Sequence, residues 1–259
     1  MKIAVAGKGG VGKTTIAGTL ARLFGRDGNR VIAVDADPAM NLKFAIGIKG
    51  NPTPISELRE LIMERTSVYN YTGIYKLNPG VDDIIGRYGA EGPDNVTLIV
   101  MGTVKKGGGG CTCPENAFLR SLLRHVLFKE KVVIIDMEAG IEHLGRGTAK
   151  GVDLMLSVVE PGMRSVETAN RIKKLGEDIG IDNIMAVINK IEDLDVEKRI
   201  EEKMKEQKIP VIGVIPYDKT LMEADMESKA PIDVGGKAVM HIKEIKNKIQ
   251  NSMKSIRHI

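Results

Sequence analysis

The stretch GKGGVGKTT, residues 7–15, constrains the fold of this chain more than any other feature. It fits the pattern G-x-x-x-x-G-K-[ST], in which a glycine-rich loop surrounds a phosphate group. An apolar, strand-like run (residues 3–6) precedes it, and a segment with helical spacing (residues 16–24) follows it. This order of strand, loop and helix is the context that the pattern requires, so the sequence predicts a phosphate-binding loop.

The residue types of the loop suit a nucleoside triphosphate. Main-chain N–H groups can surround a polyphosphate only where side chains leave room, and the following helix points its positive end at the anion. We expect Lys13 to reach the β- and γ-phosphates, Thr14 to ligate Mg²⁺ and Thr15 to donate to the α-phosphate. A glycine-rich turn without a ligand is the alternative. The predicted nucleotide-binding residues of the loop are Gly7, Lys8, Gly9, Gly10, Val11, Gly12, Lys13, Thr14 and Thr15.

A second lysine, Lys8, is not needed by a phosphate chain that Lys13 already serves, and it could be a solvated surface charge. With Lys8, however, the loop resembles the deviant Walker A motif of the MinD/ParA/nitrogenase iron protein superfamily. That resemblance implies that Lys8 reaches the ATP held by the other subunit of a homodimer. A cation in that place would stabilise the charge of phosphoryl transfer, so the resemblance makes Lys8 and Lys13 catalytic.

Composition sets the broad class of the protein. A chain of 259 residues with 42% hydrophobic residues can bury one core, and we expect one domain over residues 1–259. No apolar run approaches the roughly 20 residues that span a bilayer, and the start of the chain has no signal-peptide profile, so we expect a cytoplasmic protein. The net charge of +4 is scattered and aromatic residues make up 3%, which predicts no nucleic-acid partner.

Short β-branched runs alternate with segments of helical period along the chain. This alternation predicts an α/β fold with a mostly parallel β-sheet flanked by helices on both faces. Ligands of such folds bind at the carboxyl ends of the strands. The stretch 47–92 is less regular and is interpreted as an insertion. The predicted strands cover residues 31–34, 97–100, 132–135, 154–159, 184–188 and 211–215.

Two carboxylates follow the second predicted strand, and a third ends a later one. Asp35 and Asp37 belong to a D-x-D segment, whose second Asp orients or activates the attacking water in the superfamily. The resemblance therefore makes Asp37 catalytic, and Asp35 is expected to support the metal shell. Capping of a turn or helix is the alternative for both. Asp136 ends the apolar run VVIID and is expected to hold Mg²⁺.

Other site residues are assigned largely by resemblance. The segment after Asp136 resembles the D-x-x-A-G switch II, in which the N–H of Gly140 would sense the γ-phosphate. Glu138 departs from the usual residue there, and its role stays open. Adenine is expected to contact the amide of Asn189, which can donate and accept hydrogen bonds, and Pro216 in a following turn. Asn and Pro are also ordinary turn residues.

Both cysteines of the chain, Cys111 and Cys113, lie in a glycine-rich loop at 107–114. An internal disulfide would be strained, and a cytoplasmic chain keeps its thiols reduced. Two thiolates fill half of a tetrahedral Ni²⁺ or Zn²⁺ site, and a homodimer would supply four. A pair of incidental cysteines in a turn is the alternative.

Three further segments narrow the resemblance to CooC-type ATPases: KKGGGGCTCPENAFLR, DMEAGIEHLGRGTA and VINK. Such proteins help to insert nickel into carbon monoxide dehydrogenase, and close relatives serve acetyl-CoA synthase. The resemblance runs from residue 2 to about residue 218. It implies an ATP-dependent metallochaperone with a client nickel enzyme.

The C-terminal stretch suggests a function of another class. Apolar residues between 242 and 256 recur at helical spacing beside several lysines, as in helices that lie on anionic membranes. A MinD/ParA-like positioning ATPase, acting on a membrane or a partner protein, is therefore the alternative. A terminal helix that packs on the sheet shows the same stripe, and we favour that interpretation.

Overall fold

A mostly parallel sheet forms the centre of the molecule, as the sequence predicts. The computed structural model describes residues 1–68, 71–103, 113–137 and 150–256. Within these residues, eight strands join in the order β10-β9-β8-β1-β7-β2-β6-β5, and only β5 runs antiparallel to its neighbour. Strands β3 and β4 form a separate antiparallel pair. The strands are β1 Lys2–Gly7, β2 Val31–Ala36, β3 Ser67–Val68, β4 Tyr71–Tyr75, β5 Ala90–Glu91, β6 Val96–Val100, β7 Val132–Met137, β8 Leu154–Val159, β9 Ile184–Ile191 and β10 Val211–Pro216.

Helices cover both faces of the sheet because the strands are apolar on both sides. In β1, Ile3 and Val5 face a core that includes α1 and α10, whereas Ala4 and Ala6 face a core that includes α3, α4 and α5. A third core lies between α6, α7 and β9. The helices are α1 Lys13–Arg26, α2 Leu42–Ile46, α3 Arg59–Thr66, α4 Ile84–Tyr88, α5 Cys113–Lys129, α6 Met163–Ile179, α7 Leu194–Glu206, α8 Lys219–Met226, α9 Pro231–Val234 and α10 Lys237–Ile256.

The irregular stretch 47–92 contains short elements rather than long ones. Besides α3, α4 and the β3–β4 pair, it forms a 3₁₀ turn at Ile55–Glu57. Its apolar side chains Ile55, Ile62 and Ile84 are fully buried beneath α5. This segment therefore adds to the core on one face of the sheet.

The C-terminal helix α10 packs on the sheet with its apolar stripe. Ile242, Ile245 and Ile249 are buried, and Ile245 lies so close to Gly213 of β10 that a Cβ atom there would come within 2.5 Å of it. Met253 packs partly buried against the same core. The helix thus uses most of its apolar face inside the protein. None of the helices in the described part of the chain is long and apolar enough to cross a membrane.

Candidate nucleotide site

The loop between β1 and α1 approaches its neighbours so closely that glycine is required at two positions. A Cβ atom on Gly7 would lie 2.6 Å from the carbonyl oxygen of Val158 in the adjacent strand β8. At Gly12, which has a φ of 95° and precedes α1, a Cβ atom would collide with the side-chain amide of Asn189. The loop therefore packs closely against residues of β8 and β9, which lie on the same side of β1 in the sheet.

A cavity of about 930 Å³ opens beside this loop at the carboxyl ends of the strands. Its volume lies in the range typical of small-molecule sites. Many predicted site residues line it: Gly9, Gly10, Gly12, Lys13, Thr14, Thr15, Asp37, Asn189 and Pro216. Gly7, Lys8 and Val11 do not belong to the described lining.

Lys13 begins α1 and is buried beside the cavity. Its Nζ donates a hydrogen bond of 3.4 Å to the carbonyl oxygen of Lys8. The same Nζ lies 3.7 Å from Oδ2 of Asp37, whose Oδ1 accepts a hydrogen bond from the Ala39 N–H. The Lys13 ammonium group therefore lies at the amino end of α1. Its positive charge and the positive end of the helix dipole both attract an anion.

Thr14 and Asp136 form the oxygen-rich part of the site. The Thr14 hydroxyl donates to Asp136 Oδ2 at 2.6 Å, and the other carboxylate oxygen, Oδ1, is buried without a hydrogen-bond partner in the described structure. A hydroxyl beside a carboxylate with a spare oxygen is a donor set that suits Mg²⁺. The residues present therefore fit the ion that the phosphate loop implies.

Burial disfavours the ionised form of both strand-end carboxyls. It raises the pKa of Asp136 to about 7, and the Thr14 hydrogen bond only partly offsets this effect. Burial likewise raises the pKa of Asp35 to about 6. The two residues lie opposite each other in neighbouring strands β2 and β7. A divalent cation would relieve the cost of their negative charges.

Asp35 is engaged with the backbone that follows its strand. Its Oδ2 accepts a hydrogen bond of 3.0 Å from the Leu42 N–H, and its Oδ1 accepts one of 3.2 Å from the Asp37 N–H. Asp35 therefore fixes the turn that carries Asp37 to the cavity. Its support of a metal shell stays a prediction.

Lys8 forms an ion pair that no sequence motif predicts. Its Nζ lies 3.3 Å from Oε1 of Glu160, the residue that follows β8. Oε2 of Glu160 lies 3.2 Å from Nζ of Lys190. A carboxylate directly after the apolar run LMLSVV is the signal that would have pointed to Glu160, because strand ends of this sheet line the site.

The end of β9 holds the phosphate loop through two side chains. The buried Asn189 amide donates a hydrogen bond of 2.7 Å to the Val11 carbonyl oxygen. Lys190 Nζ donates one of 2.6 Å to the Gly10 carbonyl oxygen. Asn189 and Pro216 also line the cavity. Their contact with adenine stays a prediction.

Several predicted residues lie outside the described part of the chain. These are Cys111, Glu138 and Gly140, while Cys113 is described only by its backbone at the start of α5. Among the described residues, no group of three or more His, Cys, Asp or Glu side chains is placed to hold a metal ion. The predicted Ni²⁺ or Zn²⁺ site thus stays a prediction.

Comparison with known proteins identifies the family. Residues 2–232 match the model of the CobQ/CobB/MinD/ParA nucleotide binding domain. The chain belongs to this family. An uncharacterised ATP-binding protein of Methanocaldococcus jannaschii is 46% identical over 252 residues, 96% of this chain and 97% of that protein. The carbon monoxide dehydrogenase accessory protein CooC of Rhodospirillum rubrum is 45% identical over 241 residues, 90% of each chain.

Solved structures agree on the fold. A chain of the MinC:MinD cell division protein complex of Aquifex aeolicus superposes with a TM-score of 0.71 at 20% identity, over 97% of this chain and 96% of that one. The cell division ATPase MinD of Pyrococcus furiosus gives a TM-score of 0.70 at 20% identity, over 97% of this chain and 99% of that one. Family membership and the phosphate loop together make this chain an ATPase of the MinD/ParA type.

Proposed function

We propose that this ATPase is a metallochaperone that uses Mg²⁺–ATP to deliver nickel to a nickel enzyme. The observation that carries the proposal is the similarity to CooC, which is 45% identical and spans 90% of both chains. The C-x-C pair, Cys111 and Cys113, supplies soft ligands that ATP hydrolysis alone does not need. A carbon monoxide dehydrogenase or an acetyl-CoA synthase is the client that this similarity favours.

The proposed hydrolytic site uses the residues around the cavity. Lys13, at the start of α1, would bind the β- and γ-phosphates, and the Asp37 carboxylate, 3.7 Å from Lys13, would orient the attacking water. Thr14 and Asp136 would hold Mg²⁺, which neutralises negative charge on the phosphate oxygens when bound. Burial of Lys13 and Asp136 strengthens these interactions, because charges interact more strongly away from water.

The proposed active form is a homodimer. Lys8 lies outside the described lining of its own cavity, which agrees with a role toward a second subunit's nucleotide. A dimer would also bring two C-x-C pairs together and provide four thiolates for one ion. ATP would close this dimer and hydrolysis would reopen it, so that metal binding follows the nucleotide cycle.

Metal titration tests the cargo site. Wild type and a Cys111→Ala/Cys113→Ala double variant are titrated with Ni²⁺ and with Zn²⁺, each in the presence of ADP or ATP. We expect one metal ion per dimer in wild type and none in the double variant. Thr112→Ala is the matched control, because it changes the same loop but keeps both thiols. Unchanged metal binding in the double variant would refute the thiolate site.

Delivery is tested with a nickel-free client. Nickel-deficient carbon monoxide dehydrogenase is mixed with the nickel-loaded protein and ATP, and CO oxidation is followed over time. We expect activation that requires ATP and both cysteines. Equal activation by free Ni²⁺ at the same concentration, with no gain from the protein, would count against a chaperone.

A further inference from the structure

Lys8 is held within its own subunit by a carboxylate from another part of the chain. Its Nζ lies 3.3 Å from Oε1 of Glu160. The fold sets this proximity, because β8 pairs directly with β1 and Val158 lies opposite Gly7. Lys8 and Glu160 therefore directly follow two neighbouring strands, at the carboxyl end of each.

Glu160 also contacts a second cation that is tied to the phosphate loop. Its Oε2 lies 3.2 Å from Lys190 Nζ, which donates 2.6 Å to the carbonyl oxygen of Gly10. Lys190 has a φ of 62°, a backbone conformation that residues other than glycine adopt uncommonly. Such local strain concentrates at functional sites. Glu160 thus links the Lys8 side chain to the Gly10 backbone through Lys190.

We propose that Glu160 is the resting partner of Lys8 and competes for it with the nucleotide of the second subunit. This inference rests on the proposed dimer, in which Lys8 acts across the interface. In this mechanism Lys8 exchanges its Glu160 contact for the phosphates in the other subunit. Dimer closure must therefore break the pair in both subunits. Glu160 is a positioning residue, since it acts through Lys8.

The surroundings of the Lys8–Glu160 ion pair keep the free-energy cost of breaking it small. After Lys8 leaves, Lys190 stays beside Glu160, so the carboxylate is not left without a cation. The Lys8 side chain is 42% exposed, and water screens the pair on that side. A partly exposed pair of this kind shifts an equilibrium by about two- to five-fold, and two such pairs per dimer by about four- to twenty-five-fold.

The test is a double-mutant cycle on dimer formation. Wild type, Glu160→Gln, Lys8→Ala and the double variant are studied by sedimentation velocity with Mg²⁺ and a saturating non-hydrolysable ATP analogue, in buffer freed of transition metals. Saturation removes any effect on nucleotide affinity. We expect Glu160→Gln to tighten the dimer by about four- to twenty-five-fold. In the Lys8→Ala background the same substitution should change nothing.

Two controls separate this mechanism from general effects. Glu202→Gln removes the same charge from the exposed side of α7 and should leave the dimer constant unchanged. Glu160→Asp keeps the charge but shortens its reach, so it should tighten the dimer less than Glu160→Gln. It also serves as the test variant if Glu160→Gln does not fold.

Three results would overturn the inference. A weaker dimer in Glu160→Gln would mean that Glu160 supports the closed state. An equal gain in the Lys8→Ala background would mean that Glu160 acts through overall charge. A wild type that never dimerises with the analogue would overturn the proposed dimer and this inference together, whereas the first two results leave the dimer standing.

Discussion

The Thr14 hydroxyl donates a 2.6 Å hydrogen bond to Asp136 Oδ2 and so connects the start of α1 to the end of β7. These two residues come from distant parts of the chain, and the sheet brings them together because β7 is the direct neighbour of β1. Oδ1 of Asp136 is buried and has no partner in the described structure. The pair is thus organised for an additional ligand on Asp136.

The first prediction concerns hydrolysis. Thr14→Ala removes a hydroxyl ligand from the expected Mg²⁺ site. Asp136→Asn removes the negative charge of the second ligand. We expect kcat for ATP hydrolysis to fall on the order of 100-fold in each, because the developing charge on the phosphates loses its stabilisation. Thr14→Ser keeps the hydroxyl and should retain most of the activity. Steady-state phosphate release measures this, and full activity of Thr14→Ala would contradict the assignment.

The second prediction concerns the pH dependence of stability without Mg²⁺ or nucleotide. Burial raises the pKa of Asp136 from 3.8 to about 7, so the folded protein keeps a proton there that the unfolded chain has already released. The contribution of this group to stability is therefore greatest below pH 3.8 and is lost as pH rises to about 7.

Asp136→Asn removes this titration. Between pH 5 and pH 8, wild type should lose on the order of 2 kcal/mol of unfolding free energy relative to the variant, since one pKa unit corresponds to about 1.4 kcal/mol. Urea unfolding in EDTA at both pH values measures the difference. Glu202→Gln is the exposed control and should follow wild type. A pH-independent difference between wild type and Asp136→Asn would show that Asp136 does not titrate in this range.

The third prediction concerns a buried arginine that joins α1 to the C-terminal part of the chain. Arg22 donates through Nη1 to the Ile46 carbonyl oxygen at 2.8 Å, and through Nη1 and Nη2 to Asp233 at 3.0 and 2.8 Å. Its Nε donates to Asp94 at 2.5 Å. Arg22→Met removes the buried donor to the Ile46 carbonyl oxygen and leaves both carboxylates to the more exposed Arg26, so we expect it to destabilise the protein by about 2–4 kcal/mol.

Arg26 provides a matched control for Arg22. It contacts the same two carboxylates, Asp94 at 2.8 Å and Asp233 at 3.4 Å, but its side chain is 44% exposed. Arg26→Met should therefore cost less than about 1 kcal/mol. Thermal and urea unfolding compare the two variants. Equal losses would mean that burial does not decide the strength of this network.

Local sequence patterns predicted the strands and helices well because the chain alternates clear β-branched runs with helical periods. They also placed Thr14 and Asp37 at the cavity, since a phosphate loop and a strand-end D-x-D segment have recognisable spacing. Glu160 follows an apolar strand but belongs to no recognised motif, so the sequence alone does not assign it a partner. Its role depends on the pairing of β8 with β1, which is a long-range property of the sheet.

Three other features could not be predicted from local sequence patterns. Lys190, whose Nζ donates a hydrogen bond to the Gly10 carbonyl oxygen, has a positive φ that its residue type does not suggest. The short elements of 47–92 are too brief for periodicity to reveal. The buried network of Arg22 likewise depends on tertiary contacts with α9, near the end of the chain.

The last prediction concerns the C-terminal helix and separates a metallochaperone from a membrane-positioning ATPase. Ile242, Ile245 and Ile249 of α10 are buried against the sheet, so exposing them to lipid would cost the core much of its apolar contact. In co-sedimentation with anionic vesicles, we expect the amount of bound protein to be no greater with ATP than with ADP. Weak binding through the lysines of the helix should disappear in high salt, because screening removes electrostatic attraction. Binding that requires ATP and persists in high salt would instead show that α10 leaves the sheet and inserts its apolar face.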